Sequence, residues 1–275
     1  MTRLMHFVKT RYDQQELREQ DAADYVDHLR SEITDYIEIS FDTISAYGSN
    51  GAMMHYNHNK GDNRRLEGGS FLLVDSGGHY MRGTTDITRT FALGQVSEQM
   101  KHNYTLTLKA WLHLMHAKFL AGATGVSLDY AARGILWQEG VDYKCGTGHG
   151  VGHVLGVHES PNAFRYRVSK DLMPVAIVPG MVTTDEPGVY LEGQYGIRIE
   201  NELLCVPWKE TEHGIFYQFE NLTYAPIDLD AVEKTDLTDE ELMWLNNYQK
   251  AVYEHLAPLM SEEECNYLRE YTRAL

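Results

Sequence analysis

Carboxylates set into apolar, β-prone stretches constrain this 275-residue chain more than any other feature of it. Asp75 follows Phe71-Leu72-Leu73-Val74, Asp86 sits between Thr85 and Ile87, and Glu200 alternates with Ile197 and Ile199 in the run Ile-Arg-Ile-Glu-Asn. Glu186 precedes Pro187-Gly188, and His149 stands between two glycines. A carboxylate inside an apolar strand costs several kcal/mol unless a cation or hydrogen bonds offset it. Taken singly, each residue has a plainer reading. Asp75 and Glu186 read as strand-end or turn acids, Asp86 as an edge-strand acid, Glu200 as half of a surface pair with Arg198, and His149 as a loop histidine without a task. Taken together, four acids brought close would raise one another's pKa values and become protonated unless positive charge lies among them. A pair of divalent ions answers that requirement. Oxygen donors with one imidazole suit manganese, cobalt or zinc, and bridging carboxylates hold two such ions roughly 3.5–4 Å apart.

The rest of the composition narrows the partners. Acids outnumber bases 40 to 24, a formal charge of −16. Such a surface repels phosphate backbones and anionic lipid heads, so neither nucleic acid nor a membrane is the expected partner. No apolar run approaches the roughly 20 residues of a spanning helix, and the N-terminal stretch MTRLMHFVKTRYDQQEL lacks the apolar core of a secretory signal. Cys145, Cys205 and Cys265 are odd in number and far apart, which fits a reducing cytoplasm rather than a disulfide framework.

Residues 2–9 and 13–36 read as helix, with Leu17, Tyr25, Leu29 and Ile33 on one face and Asp and Glu opposite. Leu4, Phe7 and Val8 share a face with no capping residue before them, as in a helix already under way. Residues 37–94 are β-rich and punctuated by turns at Tyr47-Gly48, Asn50-Gly51, Lys60-Gly61 and Gly68-Gly69. Ser97 caps a helix expected to run to about Ala121 with Gly122 as its stop, and residues 127–137 form a shorter one. Residues 181–206 read as two strands joined by a glycine-containing loop. Thr238 with Glu241 and Ser261 with Glu264 are capping boxes, each opening a helix. Two β-rich halves separated by helices indicate an α+β fold with internal pseudo-symmetry.

The segments SFDTISAYGSNGAMMHY (40–56), LLVDSGGHYMRGTTDITRTF (72–91), GTGHGVGHVLGVHESP (146–161) and TTDEPGVYLEGQYGIRIEN (183–201), in this order, resemble the signature of the M24, or pita-bread, metallopeptidases, most closely the Xaa-Pro aminopeptidases. The resemblance extends, less specifically, to LTYAPIDLDAV (222–232). It implies a pita-bread fold: two pseudo-symmetric αβ halves around a curved antiparallel sheet, forming a single catalytic domain over 1–275. It implies two divalent ions, manganese first and cobalt or zinc next, held by Asp75, Asp86, His149, Glu186 and Glu200. Asp86 and Glu200 would bridge the ions, and His153 is the second choice for the imidazole. It further implies an exopeptidase that hydrolyses the N-terminal Xaa-Pro bond through a metal-bridging hydroxide, with Glu186 shuttling the proton. His55 and His158 would meet the substrate carbonyl or oxyanion, and Arg198 would orient a ligand carboxylate. Tyr190 and Phe164, Arg165 and Tyr166 are candidate pocket walls, with core packing the plainer role for these aromatics. The expected substrates are peptides with proline at the second position, the expected setting is the cytoplasm, and a homodimer is the expected assembly. The family's usual N-terminal creatinase-like domains and the start of the first helix are expected to be missing. That would leave Leu4, Phe7 and Val8 as an exposed apolar patch. The competing readings are a prolidase, a methionine aminopeptidase-like enzyme, and a non-catalytic binding protein of the same fold; the five intact ligand positions argue against the last.

Overall fold

The structure, a computed structural model, describes residues 1–168 and 173–275. Helix α1 (Thr2–Arg11) places Leu4, Met5 and Val8 on one buried face, and α2 (Glu19–Ser31) does the same with Ala22, Ala23 and Val26. Both faces pack with Leu66 on Leu72 and Val74 of strand β3 (Ser70–Ser76) and on Phe91 and Leu93 of β6 (Ile87–Leu93). Between these strands lie the short β4 (Gly78–Tyr80) and β5 (Gly83–Thr84), and before them β1 (Tyr36–Ile39) and β2 (Ile44–Tyr47). The second half opens with α3 (Glu98–Met115), β7 (Lys118–Leu120) and α4 (Gly125–Gln138). Strands β8 (Gly148–Gly150), β9 (Glu159–Phe164), β10 (Val182–Asp185), β11 (Gly188–Leu191), β12 (Tyr195–Arg198), β13 (Asn201–Thr211) and β14 (Gly214–Asn221) follow. Helices α5 (Asp239–Leu256) and α6 (Glu262–Tyr271) close the chain, each opened by the expected capping box.

The strands described form antiparallel ladders in the orders β2-β3-β6, β1-β4-β5, β11-β12 and β7-β14-β13-β10-β8-β9. The main core lies under the last of these, where Tyr104, Leu108, Trp111 and Leu112 of α3 meet Phe164, Ile197, Leu203 and Phe219. Each half repeats one plan. Two helices lead into an antiparallel strand pair, one acid lies at the end of the leading strand, and another lies just before the returning strand. In the first half these are Asp75 and Asp86, around β3 and β6; in the second they are Glu186 and Glu200, around β10 and β13.

A polar seam joins the halves. The Glu200 amide donates to the Thr88 carbonyl at 3.1 Å. The Thr90 hydroxyl donates to the Arg198 carbonyl at 2.9 Å and accepts from the Arg198 amide at 3.1 Å. The fully buried Arg89 donates to the Glu200 carbonyl at 2.7 Å, to Asn201 Oδ1 and to the Tyr248 hydroxyl.

Four local expectations are corrected. The helix expected over 13–36 spans only Glu19–Ser31, because the Asp21 carboxylate accepts the Arg18 amide at 2.7 Å and closes the N-terminus there; Ile33 lies beyond the helix and is half exposed. The helix after Ser97 stops at Met115, and Phe119 enters β7 instead. Residues 181–206 hold four strands rather than two, since Pro187 and the Gly193 turn (φ 74°) each interrupt the ladder. The face of Leu4, Phe7 and Val8 is not exposed. Leu4 and Val8 are fully buried, Phe7 stacks on Tyr25 at 4.1 Å, and α6 covers α1 through the His6–Tyr267 stack and the Arg3–Glu264 ion pair. Among the described residues, no helix is long and apolar enough to cross a membrane.

Candidate metal centre

The acids named above converge on the floor of a cavity of about 360 Å³ lined by Asp75, Asp86, His149, Glu186, Arg198 and Glu200. Strand pairing explains the meeting. Asp75 sits in β3 directly opposite Thr88 of β6, and Thr88 Oγ1 in turn donates to Glu200 Oε2 at 2.6 Å. Asp86, His149 and Glu200 each present a donor atom within 4.8 Å of the others. His149 Nε2 lies 3.4 Å from Asp86 Oδ2 and 3.3 Å from Glu186 Oε1.

The glycines around His149 have a steric cause. A Cβ on Gly148 would come within 1.8 Å of the Thr184 carbonyl, and one on Gly150 within 2.2 Å of the Glu159 carbonyl. Only glycine lets β8 thread between β10 and β9. His149 Nδ1 meets the Gly150 carbonyl at 2.9 Å, so a proton rests on that nitrogen and Nε2 is turned to the acids. Thr184 Oγ1 accepts from the His149 amide and donates to Glu186 Oε1, both at 3.0 Å, while the Glu186 amide donates to the Thr147 carbonyl at 2.8 Å. Arg198, almost wholly buried, binds Asp75 Oδ2, Thr88 Oγ1 at 3.0 Å and the Tyr190 hydroxyl at 2.9 Å.

The electrostatics are those of anions in excess. Burial, then the charge of Asp75 and Glu186, raises Asp86 to about 6 despite the His149 contact. Burial and Asp86 hold Glu200 well above the carboxylate range. Glu202, whose carboxylate accepts the Asp86 amide at 2.8 Å, is raised to about 8 by burial and by Asp86. His149 is held up at about 9, because Asp86 and Glu186 outweigh the opposing effect of burial. Asp75 Oδ1 is buried and accepts no hydrogen bond. A bare buried carboxylate oxygen beside three further acids and an imidazole lone pair is the donor set of a divalent-cation site, and the residues present fit one.

The other sequence candidates fall around this floor. His158 lies with its ring 4.1 Å from the ring of His149 and perpendicular to it, and burial followed by His149 and His55 lowers its pKa. His55 is exposed on a turn and lines the cavity, as does Tyr190. His153 is not part of the cluster: it is exposed, with Nε2 at 3.4 Å from the Tyr80 carbonyl. Phe164 is fully buried in the main core, and Tyr166 packs on Arg133 and Trp137, so neither forms the cavity wall. The sequence reading missed Phe41, Ile44, Tyr56 and Cys145, which also line the cavity. Burial pushes the Cys145 thiol up to about 12. It missed the supporting threonines as well, although the Thr-rich runs 84–90 and 183–184 were the available signal.

Residues 1–207 match the model of metallopeptidase family M24, and residues 215–275 match that of the C-terminal region of the same peptidases. The chain belongs to metallopeptidase family M24. Its architecture is accordingly the pita-bread fold, α+β with two related halves. Over 262 residues it is 42% identical to a probable Xaa-Pro aminopeptidase P of Aspergillus flavus, covering 94% of this chain and 39% of that protein. A counterpart from Talaromyces marneffei is 40% identical over 265 residues, again 94% of this chain and 40% of the relative. Among solved structures, the X-prolyl aminopeptidase of Caenorhabditis elegans, described as a cytosolic enzyme with a di-nuclear active site, superposes with a TM-score of 0.92 at 36% identity, over 100% of this chain and 45% of that one. A prolidase from Thermococcus sibiricus superposes with a TM-score of 0.66 at 27% identity, over 83% of this chain and 58% of that one. The chain therefore spans about two fifths of the length of the curated relatives it matches.

Proposed function

We propose that this chain is the catalytic domain of an Xaa-Pro aminopeptidase that works in the cytoplasm with two divalent ions, manganese first among them. Asp75, Asp86, His149, Glu186 and Glu200 would hold the ions. The observation that carries this reading is the bare, buried Asp75 Oδ1 beside the Asp86–His149–Glu200 cluster, in a chain 42% identical to a probable aminopeptidase of that kind. When bound, such a pair of ions supplies Lewis acidity and brings the pKa of a water toward neutrality.

The side chains divide the remaining work. Glu186, steadied by Thr184 Oγ1 at 3.0 Å, carries a proton from the attacking water to the leaving amine. His55 and His158, on the cavity wall, face the substrate carbonyl and the negative charge that develops on it. Arg198 fixes Asp75 by a charge-assisted hydrogen bond and presents Tyr190 to the cavity. An Xaa-Pro bond is a tertiary amide without an N–H. A site that grips the free amine and encloses the pyrrolidine ring therefore selects it better than one that reads backbone N–H groups.

The test is a metal count followed by a substrate panel. After reconstitution the folded chain should carry about two equivalents of manganese, cobalt or zinc, and should cleave an Xaa-Pro-Xaa tripeptide at least about tenfold faster than an Xaa-Pro dipeptide or a Met-Ala peptide. Preference for the dipeptide makes it a prolidase. Near-zero metal on a folded chain removes the enzyme reading altogether.

A further inference from the structure

Apart from the acids of the candidate metal centre, Glu19 is a buried carboxylate that the mechanism above does not use. It is the first residue of α2 and is fully buried. Its Oε1 accepts the Tyr47 amide at 2.7 Å and Asn50 Nδ2 at 2.9 Å. Its Oε2 accepts the Tyr56 hydroxyl at 2.7 Å and the Arg64 amide at 2.8 Å. All four donors are neutral, and all belong to the segment 47–64 that connects β2 to β3. The Glu19 amide also donates to the Arg64 carbonyl at 3.0 Å, and the Leu66 amide to the Leu17 carbonyl at 2.7 Å; with the Tyr47 amide on Oε1, both ends of the segment are tied to the start of α2. Asp62 reinforces the tie by accepting Asn50 Nδ2 and Arg64 Nε, each at 2.7 Å.

That segment supplies one wall of the metal cavity, through Met54, His55, Tyr56 and Asn57. Tyr56 is the physical link: its hydroxyl is held by Glu19, and the residue before it is His55. His55 itself is exposed on a turn and has no ladder to hold it. A charged acceptor forms stronger hydrogen bonds than a neutral one, and a buried charge is tolerated only where such bonds satisfy it. We propose that Glu19 is a positioning residue whose carboxylate gathers the 47–64 segment and holds the His55 wall against the metal cavity. The proposal deepens the peptidase reading above and rests on it for the role of His55.

The experiment compares Glu19→Gln with wild type in the manganese-loaded full chain. Glutamine keeps the size but turns an N–H₂ group toward donors that include the Arg64 amide, which cannot reverse. The variant should still bind about two metal equivalents. Backbone amide exchange within 47–64 should quicken at least about tenfold while β10 and β13 stay protected. For an Xaa-Pro-Xaa tripeptide, kcat/KM should fall roughly ten- to a hundredfold, and His55→Ala should absorb most of that fall, because the two changes remove the same wall. If Glu19→Gln does not fold, Tyr56→Phe takes its place, removing one donor and keeping the carboxylate; it should give the same pattern at smaller amplitude. Unchanged exchange in 47–64 overturns the proposal, as does a fall in kcat/KM that is equally large in the His55→Ala background. If the wild-type chain loads metal yet cleaves no peptide, the peptidase reading has failed and exchange alone decides: quickening confined to 47–64 supports the clamp, and quickening everywhere overturns it.

Discussion

Two buried aspartate–arginine pairs, one within the second half of the molecule and one joining the two halves, are built to opposite ends. Asp129 and Arg133 on α4 are both fully buried. Arg133 meets both oxygens of Asp129, Nε at 2.6 Å and Nη2 at 3.0 Å, and Thr147 Oγ1 donates to Asp129 Oδ1 at 2.6 Å. The guanidinium also lies 3.9 Å from the ring centroid of Tyr143. Nothing on that aspartate is left over. Asp75 and Arg198 look similar in sequence terms, but the arginine takes only Oδ2, spends its other nitrogens on Thr88 and Tyr190, and leaves Oδ1 bare. The first pair is a closed structural device. The second is left open in a cavity that Asp75 shares with Asp86, Glu186 and Glu200, where burial and mutual charge hold Asp86 and Glu200 above the usual carboxylate range. Buried acids with a complete set of partners stabilise a fold; buried acids without one mark where a ligand's charge belongs.

Substitution should separate the two most sharply at their centres. Asp86→Asn should abolish metal loading and lower peptide hydrolysis at least about a thousandfold. The same change should leave the melting temperature of the metal-free chain unchanged or raised, because one of several crowded anions is gone. Retained turnover would deny Asp86 a place among the metal ligands. Asp129→Asn should do the reverse. It leaves Arg133 buried and short of its partner, at a cost of about 3–5 kcal/mol by denaturant unfolding, while the folded fraction still binds metal. A loss under about 1 kcal/mol would show that the pair is not the closed unit described.

A smaller effect comes from pH. The folded values of about 6 for Asp86 and about 8 for Glu202 lie above their unfolded values near 4, so the metal-free fold retains protons that the unfolded chain has released. Its stability therefore falls as pH rises from about 4 to 8. His149, raised to about 9, acts in the same sense: what it contributes is complete below about 6.5 and is lost as pH climbs through 9. Cations held by Asp86 and His149 would displace the protons there. The rise in melting temperature on adding manganese should thus grow by roughly 5 °C between pH 5.5 and pH 8. An increment that stays flat over that range would contradict the picture of unbalanced acids.

Much of this arrangement was legible in the chain. The strand-embedded acids and the Gly-His-Gly frame carried the cluster, because charges placed against the local apolar pattern need a reason that neighbours in sequence do not supply. The capping boxes at Thr238 and Ser261 were equally plain, being settled within four residues. What could not be read depended on partners distant in sequence. Glu19 reads as part of the polar face of α2, and only the return of segment 47–64 buries it. The face of Leu4 and Val8 looks exposed until Leu66 and strands β3 and β6 close against it. Cys145 enters the cavity because Arg133 donates to the carbonyls of Tyr143 and Cys145, at 2.7 and 3.0 Å, and so shapes the run toward His149.

The candidate ligands at the centre come from both halves, Asp75 and Asp86 from one and His149, Glu186 and Glu200 from the other, across a boundary stitched by Thr88, Thr90 and Arg89. A cation held by residues of both would work as a rivet through two plates. It would tie the halves at a second place besides that seam, and stripping it with a chelator should weaken their union.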